Sequence, residues 1–183
     1  EEKQTVNISI AMNYILNKIA VCVEYGKLNR KVPYPPFLKE QDGVDELTQQ
    51  ALATGISPNE ILTAGLITGM NNIGVKFKDN KVFVPQVLMS AKAMSIGMGF
   101  LKKYFADGSV KRKGKFIIGT VEGDLHDIGK NLVSMMLEGN GYEVIDLGIN
   151  VTSEHFVAAV QENPDAFVGM SALLTTTMVN MEK

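Results

Sequence analysis

The stretch Lys115-Phe-Ile-Ile-Gly-Thr-Val-Glu-Gly-Asp-Leu-His-Asp-Ile-Gly129 decides how this chain folds. Lys115–Gly119 is a short apolar run of strand length. From Ile128 onward the apolar residues Leu132, Val133, Met135, Met136 and Leu137 spread to helical spacing. A loop rich in Gly and Asp joins the two. Ligands of open α/β sheets bind beyond the carboxyl ends of strands, so a loop in this place is where a site belongs. It contains His126, one of only two histidines in the chain, two residues after Asp124.

Downstream the pattern repeats. Glu143–Leu147 and Ala166–Met170 read as strands, and Ile128–Asn140 and Ser153–Gln161 as helices, with another helix starting near Thr176. Such alternation predicts a parallel sheet with helices on both faces. A flavodoxin-like sheet has five strands in the order 2-1-3-4-5. Only three can be read before Lys183, so this α/β domain is expected to be C-terminally truncated.

Upstream, residues 1–105 have helical periodicity. Ile8, Met12, Ile15, Ile19 and Val23 share one face of a first helix, and Pro33, Pro35 and Pro36 are expected to end it. A second helix spans Val44 to Thr54, with Gly55 as its left-handed stop. Ser57, Pro58 and Glu60 form a capping box for a third, which carries Ile61, Leu62, Leu66, Ile67 and Met70 and is expected to end near Gly74. After a loop with Phe77, Asp79 and Asn80, a fourth follows Phe83-Val-Pro-Gln86 and runs to about Phe105, with Val87, Leu88, Ala91, Met98 and Leu101 along one side. Four helices with short connections read as a bundle. Residues 106–114, polar and glycine-bearing, are the expected linker. The fold class is thus α + α/β: a helical bundle over 1–105, then a Rossmann-like or flavodoxin-like domain over 115–183.

Composition narrows the function. Of 183 residues, 45% are hydrophobic, and 18 basic against 20 acidic side chains leave a net charge of −2. Neither a nucleic-acid footprint nor an anionic-membrane anchor is expected from that balance. The single cysteine, Cys22, excludes an intramolecular disulfide, fits a reducing compartment, and falls on the apolar face of the first helix as inert core. The N-terminal Glu-Glu-Lys lacks the order of a signal peptide, and no apolar run approaches the ~20 residues of a membrane span. A cytoplasmic protein without a membrane or nucleic-acid partner is the expectation.

Taken alone, Asp124-x-His126 has two readings: a loop histidine that caps the next helix, or a metal ligand beside an orienting carboxylate. Phosphate loops fit poorly. Gly-x-Gly-x-x-Gly is absent, and Gly129-Lys130 is followed by Asn131 rather than Ser or Thr. A hydrolytic zinc site needs three protein ligands, and His155, Cys22 and the carboxylates show no such spacing. A metal with one protein ligand must bring most of its coordination sphere, as in a macrocycle. His155, in the second crossover helix, reads as a surface residue.

The segment Gly123-Asp-Leu-His-Asp-Ile-Gly129 resembles the Asp-x-His-x-x-Gly motif of cobalamin-binding domains. The longer run Gly119 to Val133 is similar to the corrinoid domain of methionine synthase. It is more similar still to the small corrinoid proteins of methanol, methylamine and aryl-ether methyltransferase systems. Asp146-Leu-Gly148 and Gly169-Met-Ser-Ala-Leu-Leu-Thr175 match the family's loops after strands two and three. Gly74-Val-Lys-Phe77 and Phe83 through Met94 resemble its helical cap.

The resemblance implies a corrinoid methyl carrier. His126 would be the lower axial ligand of cobalt, Asp124 its orienting partner, and Thr177 the hydroxyl at the end of the relay. Gly123, Leu125, Asp127, Ile128 and Gly129 would complete the cofactor loop. Ser171, Leu173 and Thr175 would line the slot for the displaced nucleotide tail, although the glycine-rich stretch that closes its far end is missing. The cap would shield the upper face, with Phe83, Val87 and Met94 as the contact residues. The chain holds ten methionines, of which Met89, Met94 and Met98 share one helix. Methionine is ordinarily core filler. Ala91, Ala93, Gly97 and Gly99 would permit close helix approach.

The cofactor would be cobalamin, as methylcobalamin or a related corrinoid. The partners would be a substrate:corrinoid methyltransferase, an acceptor methyltransferase using tetrahydrofolate or coenzyme M, and a reductive activator protein. The chemistry would belong to a multi-component methyltransferase, such as an O-demethylase system, rather than to this chain alone. The alternative is a cobalamin-binding sensor without methyl transfer. A mutase subunit shares the loop but not this cap, and a cofactor-free signalling domain is a third reading.

Overall fold

The computed structural model describes residues 2–31, 42–106, 108 and 110–183, with the side chains of 2–9 and 106 outside the description. The chain divides into two compact units, Glu1–Lys111 and Arg112–Lys183.

The first unit is helical: α1 (Glu2–Glu24), α2 (Val44–Ala53), a long helix built in three pieces, and α5 (Val84–Ala106). The long helix starts as α3 (Pro58–Glu60), widens to a π-helical stretch Ile61–Ile67 and continues as α4 (Thr68–Lys78). The capping box forms as its residue types require. Ser57 Oγ accepts from the Glu60 N–H, and the Glu60 carboxylate accepts from the Ser57 N–H. Leu16, Ile19, Val23, Leu62, Leu66, Met70 and Leu101 are buried between the helices, and Cys22 is buried with its thiol donating to the Asp42 carbonyl at 3.6 Å. At the end of α1, Glu24 pairs with Lys76 and accepts from Asn72, while its carbonyl accepts from Ser90.

Two helix ends differ from the sequence expectation. First, α1 stops at Glu24, well before the prolines, which lie outside the described residues. Gly26 adopts φ +65°, and the Lys27 N–H reaches back to the Cys22 carbonyl at 2.7 Å. That is a glycine C-terminal stop, in which the left-handed residue lets the chain turn back on the last carbonyls. Second, the third helix runs to Lys78 rather than to Gly74, so Phe77 is helical. Gly74 is not left-handed; Asn80, at φ +57°, takes that role. Ile8 lies among the undescribed side chains, and Asp107 and Ser109 of the expected linker lie outside the described residues.

The second unit is a three-stranded parallel sheet in the order β2-β1-β3. Its elements are β1 (Lys115–Thr120), α6 (Ile128–Gly139), β2 (Glu143–Asp146), α7 (Ser153–Glu162), β3 (Phe167–Ser171) and α8 (Thr175–Met178), followed by a 3-10 turn Val179–Met181. The chain steps from β1 to one side for β2, then back across to the other for β3. Right-handed crossovers therefore put α6 and α7 on opposite faces. Ile117 faces α7, where it packs with Val151, Phe156 and Ala159. Its neighbours Phe116 and Ile118 face the α6 side with Val133. The loops after all three strands open at one edge of the sheet, and the site is built there. Among the described residues no helix is long and apolar enough to cross a membrane.

Candidate functional site

The loop after β1 leaves the sheet through Val121, which bridges to Val151, and turns at Gly123 with φ +79°. That left-handed turn suits glycine. It sends Asp124 inward, where only 1% of the residue is exposed. A buried carboxylate needs donors, and Asp124 has them on both oxygens. Oδ1 accepts from the His126 backbone N–H at 2.9 Å and lies 2.7 Å from His126 Nδ1. Oδ2 accepts from the Thr177 hydroxyl at 2.7 Å, the Leu173 N–H at 2.8 Å and the Leu174 N–H at 3.4 Å.

These bonds hold the Asp124 carboxyl well below the usual carboxylate range. The Thr177 hydroxyl contributes most, then the backbone N–H groups of His126 and Leu173; burial pushes the other way, and the His126 ring adds to the lowering. An ionised carboxylate only accepts, so Nδ1 of His126 carries the hydrogen between them. In the neutral ring Nε2 is then left with a lone pair. The His126 side chain is 52% exposed, so one side of the ring is anchored and the other is open.

That donor set fits a macrocyclic metal. Among the described residues no group of three or more His, Cys, Asp or Glu side chains is gathered for an ion. A single oriented imidazole supplies one axial position, which suffices when a ring provides the equatorial donors. Leu125 and Leu173, on the loops that meet at Asp124, and Ile128, the first residue of α6, are 66%, 66% and 81% exposed. Three apolar side chains turned outward beside an imidazole suit the face of a large, flat ring.

Between α6 and β3 lies a cavity of about 320 Å³, lined in part by Gly129, Val133, Gly169 and Ser171. A Cβ on Gly129 would meet nothing within 4 Å. Thr175 is exposed and does not line this cavity. Asp127 caps α6 through its backbone, with its carboxylate accepting from Asn131 Nδ2 at 3.0 Å. In the helical unit, Val87 and Met94 are buried, while Phe83 stands 69% exposed at the start of α5. His155 is exposed on α7.

Three features of the site escaped the sequence reading. Asn150 accepts from the Gly123 N–H at 2.7 Å. Asn180 donates to the Glu122 carbonyl at 2.7 Å. Lys130, buried in the first turn of α6, donates to Asp146 at 2.5 Å and Asn131 at 2.7 Å. Only the last had a signal, a lysine on the sheet-facing side of an amphipathic helix.

Two family models, each described as a B12 binding domain, match residues 40–102 and 114–183. A corrinoid protein of Desulfitobacterium hafniense (strain Y51) is 42% identical over 149 residues, 79% of this chain and 68% of that protein. A dimethylamine corrinoid protein of Methanosarcina acetivorans is 46% identical over 124 residues, 67% of this chain but 58% of that protein. Among solved structures, the methanol:cobalamin methyltransferase complex of Methanosarcina barkeri superposes with a TM-score of 0.76. The match is 34% identical and covers 92% of this chain and 60% of that one. The chain belongs to the corrinoid proteins, a family of B12-binding proteins with a helical region followed by a Rossmann-like parallel sheet. It spans roughly three fifths to two thirds of the length of these relatives.

Proposed function

We propose that this protein is a methyl carrier that holds cobalamin with His126 as the lower axial ligand of cobalt. The observation that carries the reading is the continuous path Thr177–Asp124–His126, which ends in a half-exposed imidazole anchored through Nδ1. When bound, the corrinoid supplies a cobalt centre that can accept a methyl group and release it.

The chain's own residues orient the imidazole, hold its proton at Nδ1, and provide a route by which that ring can gain or lose hydrogen-bond support as its hold on the metal changes. Asp124 does the orienting, and the Thr177 hydroxyl makes the largest contribution to holding the Asp124 carboxyl low. Leu125, Ile128 and Leu173, apolar and turned outward, would exclude water from the bound corrinoid. Gly129 and Ser171, on the wall of the cavity beside α6, offer room for the displaced nucleotide tail. The partners are a substrate:corrinoid methyltransferase that loads the methyl group, a second methyltransferase that removes it, and a reductive activator. Methanol and methylamines are the donors that the relatives' names support.

The test is methyl loading. The cobalamin-bound protein is reduced and mixed with methyltransferases for methanol, methylamines and aryl methyl ethers, each with its isotopically labelled donor. One donor system should transfer about one methyl per corrinoid, and an acceptor methyltransferase should then remove it. A protein that binds cobalamin yet takes label from none of these systems contradicts the carrier and favours a sensor.

A further inference from the structure

We propose that Asn150 is a positioning residue, a two-point clamp that fixes the Gly123–Asp124 turn and thereby the direction of the Asp124 carboxylate. Its consequence for cobalt rests on the reading of His126 given above; its test does not.

The clamp joins two loops. Asn150 follows β2, and Val151 beside it bridges to Val121 in the loop after β1. The Asn150 side-chain oxygen accepts from the Gly123 N–H at 2.7 Å, and the Asn150 backbone N–H donates to the Asp124 carbonyl at 3.1 Å. The Asp124 N–H is itself tied to the Val121 carbonyl at 3.1 Å. The peptide units before, at and after the Gly123–Asp124 bond therefore each have a fixed partner. A third strut, Asn180 to the Glu122 carbonyl, steadies the turn from the C-terminal side.

The carboxylate leaves little tolerance for error. Its two oxygens take donors from two directions: the His126 side on Oδ1, and Leu173, Leu174 and Thr177 on Oδ2. A swing of the backbone at Asp124 that kept one set would lose the other. Gly123, at φ +79°, has no side chain to resist such a swing. Beside the Asp124 N–H to Val121 carbonyl bond within the loop and the Asn180 strut, Asn150 supplies the restraint at two points, one on each side of the Gly123–Asp124 bond.

The residue type follows from two demands at one position. Asn150 adopts φ +54°, a left-handed conformation that Asn enters more readily than most residues. It also needs a side-chain acceptor short enough to reach the Gly123 N–H. Asp meets both demands, Gly meets only the first, and Ala meets neither.

The test reads the His126 ring in the cobalamin-free protein by nitrogen NMR, at a pH where the imidazole is neutral. Wild type and Asn150→Asp should hold the hydrogen on Nδ1. Asn150→Gly keeps the backbone conformation but lacks the acceptor, and it should shift toward the tautomer mixture of an untethered imidazole. Wild-type tautomer in Asn150→Gly overturns the clamp. Amide exchange of Gly123 in the wild type provides the second reading, independent of whether a variant folds. Protection of that amide is expected, and exchange as fast as an open-loop amide overturns the clamp. Neither result bears on whether His126 meets cobalt, which is read from the loaded protein with and without His126→Ala.

Discussion

The Thr177 hydroxyl donates to Asp124 Oδ2 over 2.7 Å, joining residues 53 positions apart, one on α8 and the other in the loop after β1. The same hydroxyl lies 2.9 Å from the Leu174 carbonyl, but it has one hydrogen to give. The carboxylate takes it, because the bond to the ionised acceptor is the stronger. Thr177→Val keeps the shape and removes the donor. The Asp124 carboxyl should then titrate higher than in the wild type, by carbon NMR, while Thr177→Ser restores the wild-type value. Identical titrations in wild type and Thr177→Val would contradict Thr177's leading share in the lowering.

The lowered Asp124 carboxyl sets a sign for acid stability. A group whose folded value lies below its unfolded one, about 3.9 for Asp, stabilises the fold above that unfolded value and loses the contribution as pH falls through the folded value. In the cobalamin-free protein, Asp124→Asn should lower stability at neutral pH and flatten the decline below about pH 4. Urea unfolding across a pH series measures both. Parallel curves for wild type and variant would count against the assignment.

Lys130 and Asp146 should respond unequally to substitution. The Lys130 side chain is 2% exposed, whereas that of Asp146 is 38% exposed. Asp146→Asn strips the partner charge from a buried ammonium and should cost about 2–3 kcal/mol, less than for a fully buried pair because solvent already reaches Asp146. Lys130→Met leaves a carboxylate that water can reach and should cost about 1 kcal/mol. Denaturant unfolding of the two variants decides it, and equal costs would refute the asymmetry.

Two helical glycines should give opposite results when changed to Ala. A methyl at Gly69 would run into the Ala20 carbonyl and the Val23 side chain, where α4 meets α1. At Gly99, exposed on α5, it would meet nothing within 4 Å. Gly99→Ala should therefore stabilise by about 0.5–1 kcal/mol through helix propensity. Gly69→Ala should destabilise by about 1–3 kcal/mol, since backbone cannot move aside cheaply. Thermal melts of both variants check the pair.

The α/β unit was legible because its strands are short β-rich runs that alternate with helices, each helix beginning at or just after a Gly, Asp or Thr. Observed strand ends differ from the expected ones by a residue. The helical unit was less so. Pro33, Pro35 and Pro36 are the stronger stop signal by residue type, but the helix ends earlier at Gly26, whose left-handed stop needs no proline. The π-helical stretch could not be read by searching for a 3.6-residue period, although Ile61/Leu66 and Leu62/Ile67 are each five apart and all buried. At the site, Asp124 and His126 show in the local motif, and Thr177 was reached through family resemblance alone. Asn150 was invisible, since its role rests on a backbone angle and on a loop 27 residues away.

The central claim is that His126, and not the nucleotide tail of cobalamin, binds cobalt from below. It is tested most directly by electron paramagnetic resonance of the protein loaded with cobalamin in its cobalt(II) form, with and without nitrogen-15 histidine. Ordinary nitrogen in the axial position splits each cobalt line into a triplet, and nitrogen-15 splits it into a doublet. The triplet should become a doublet on labelling histidine, and the doublet should vanish in labelled His126→Ala. A triplet that persists in the labelled wild-type protein would put the benzimidazole nitrogen on cobalt and contradict the account.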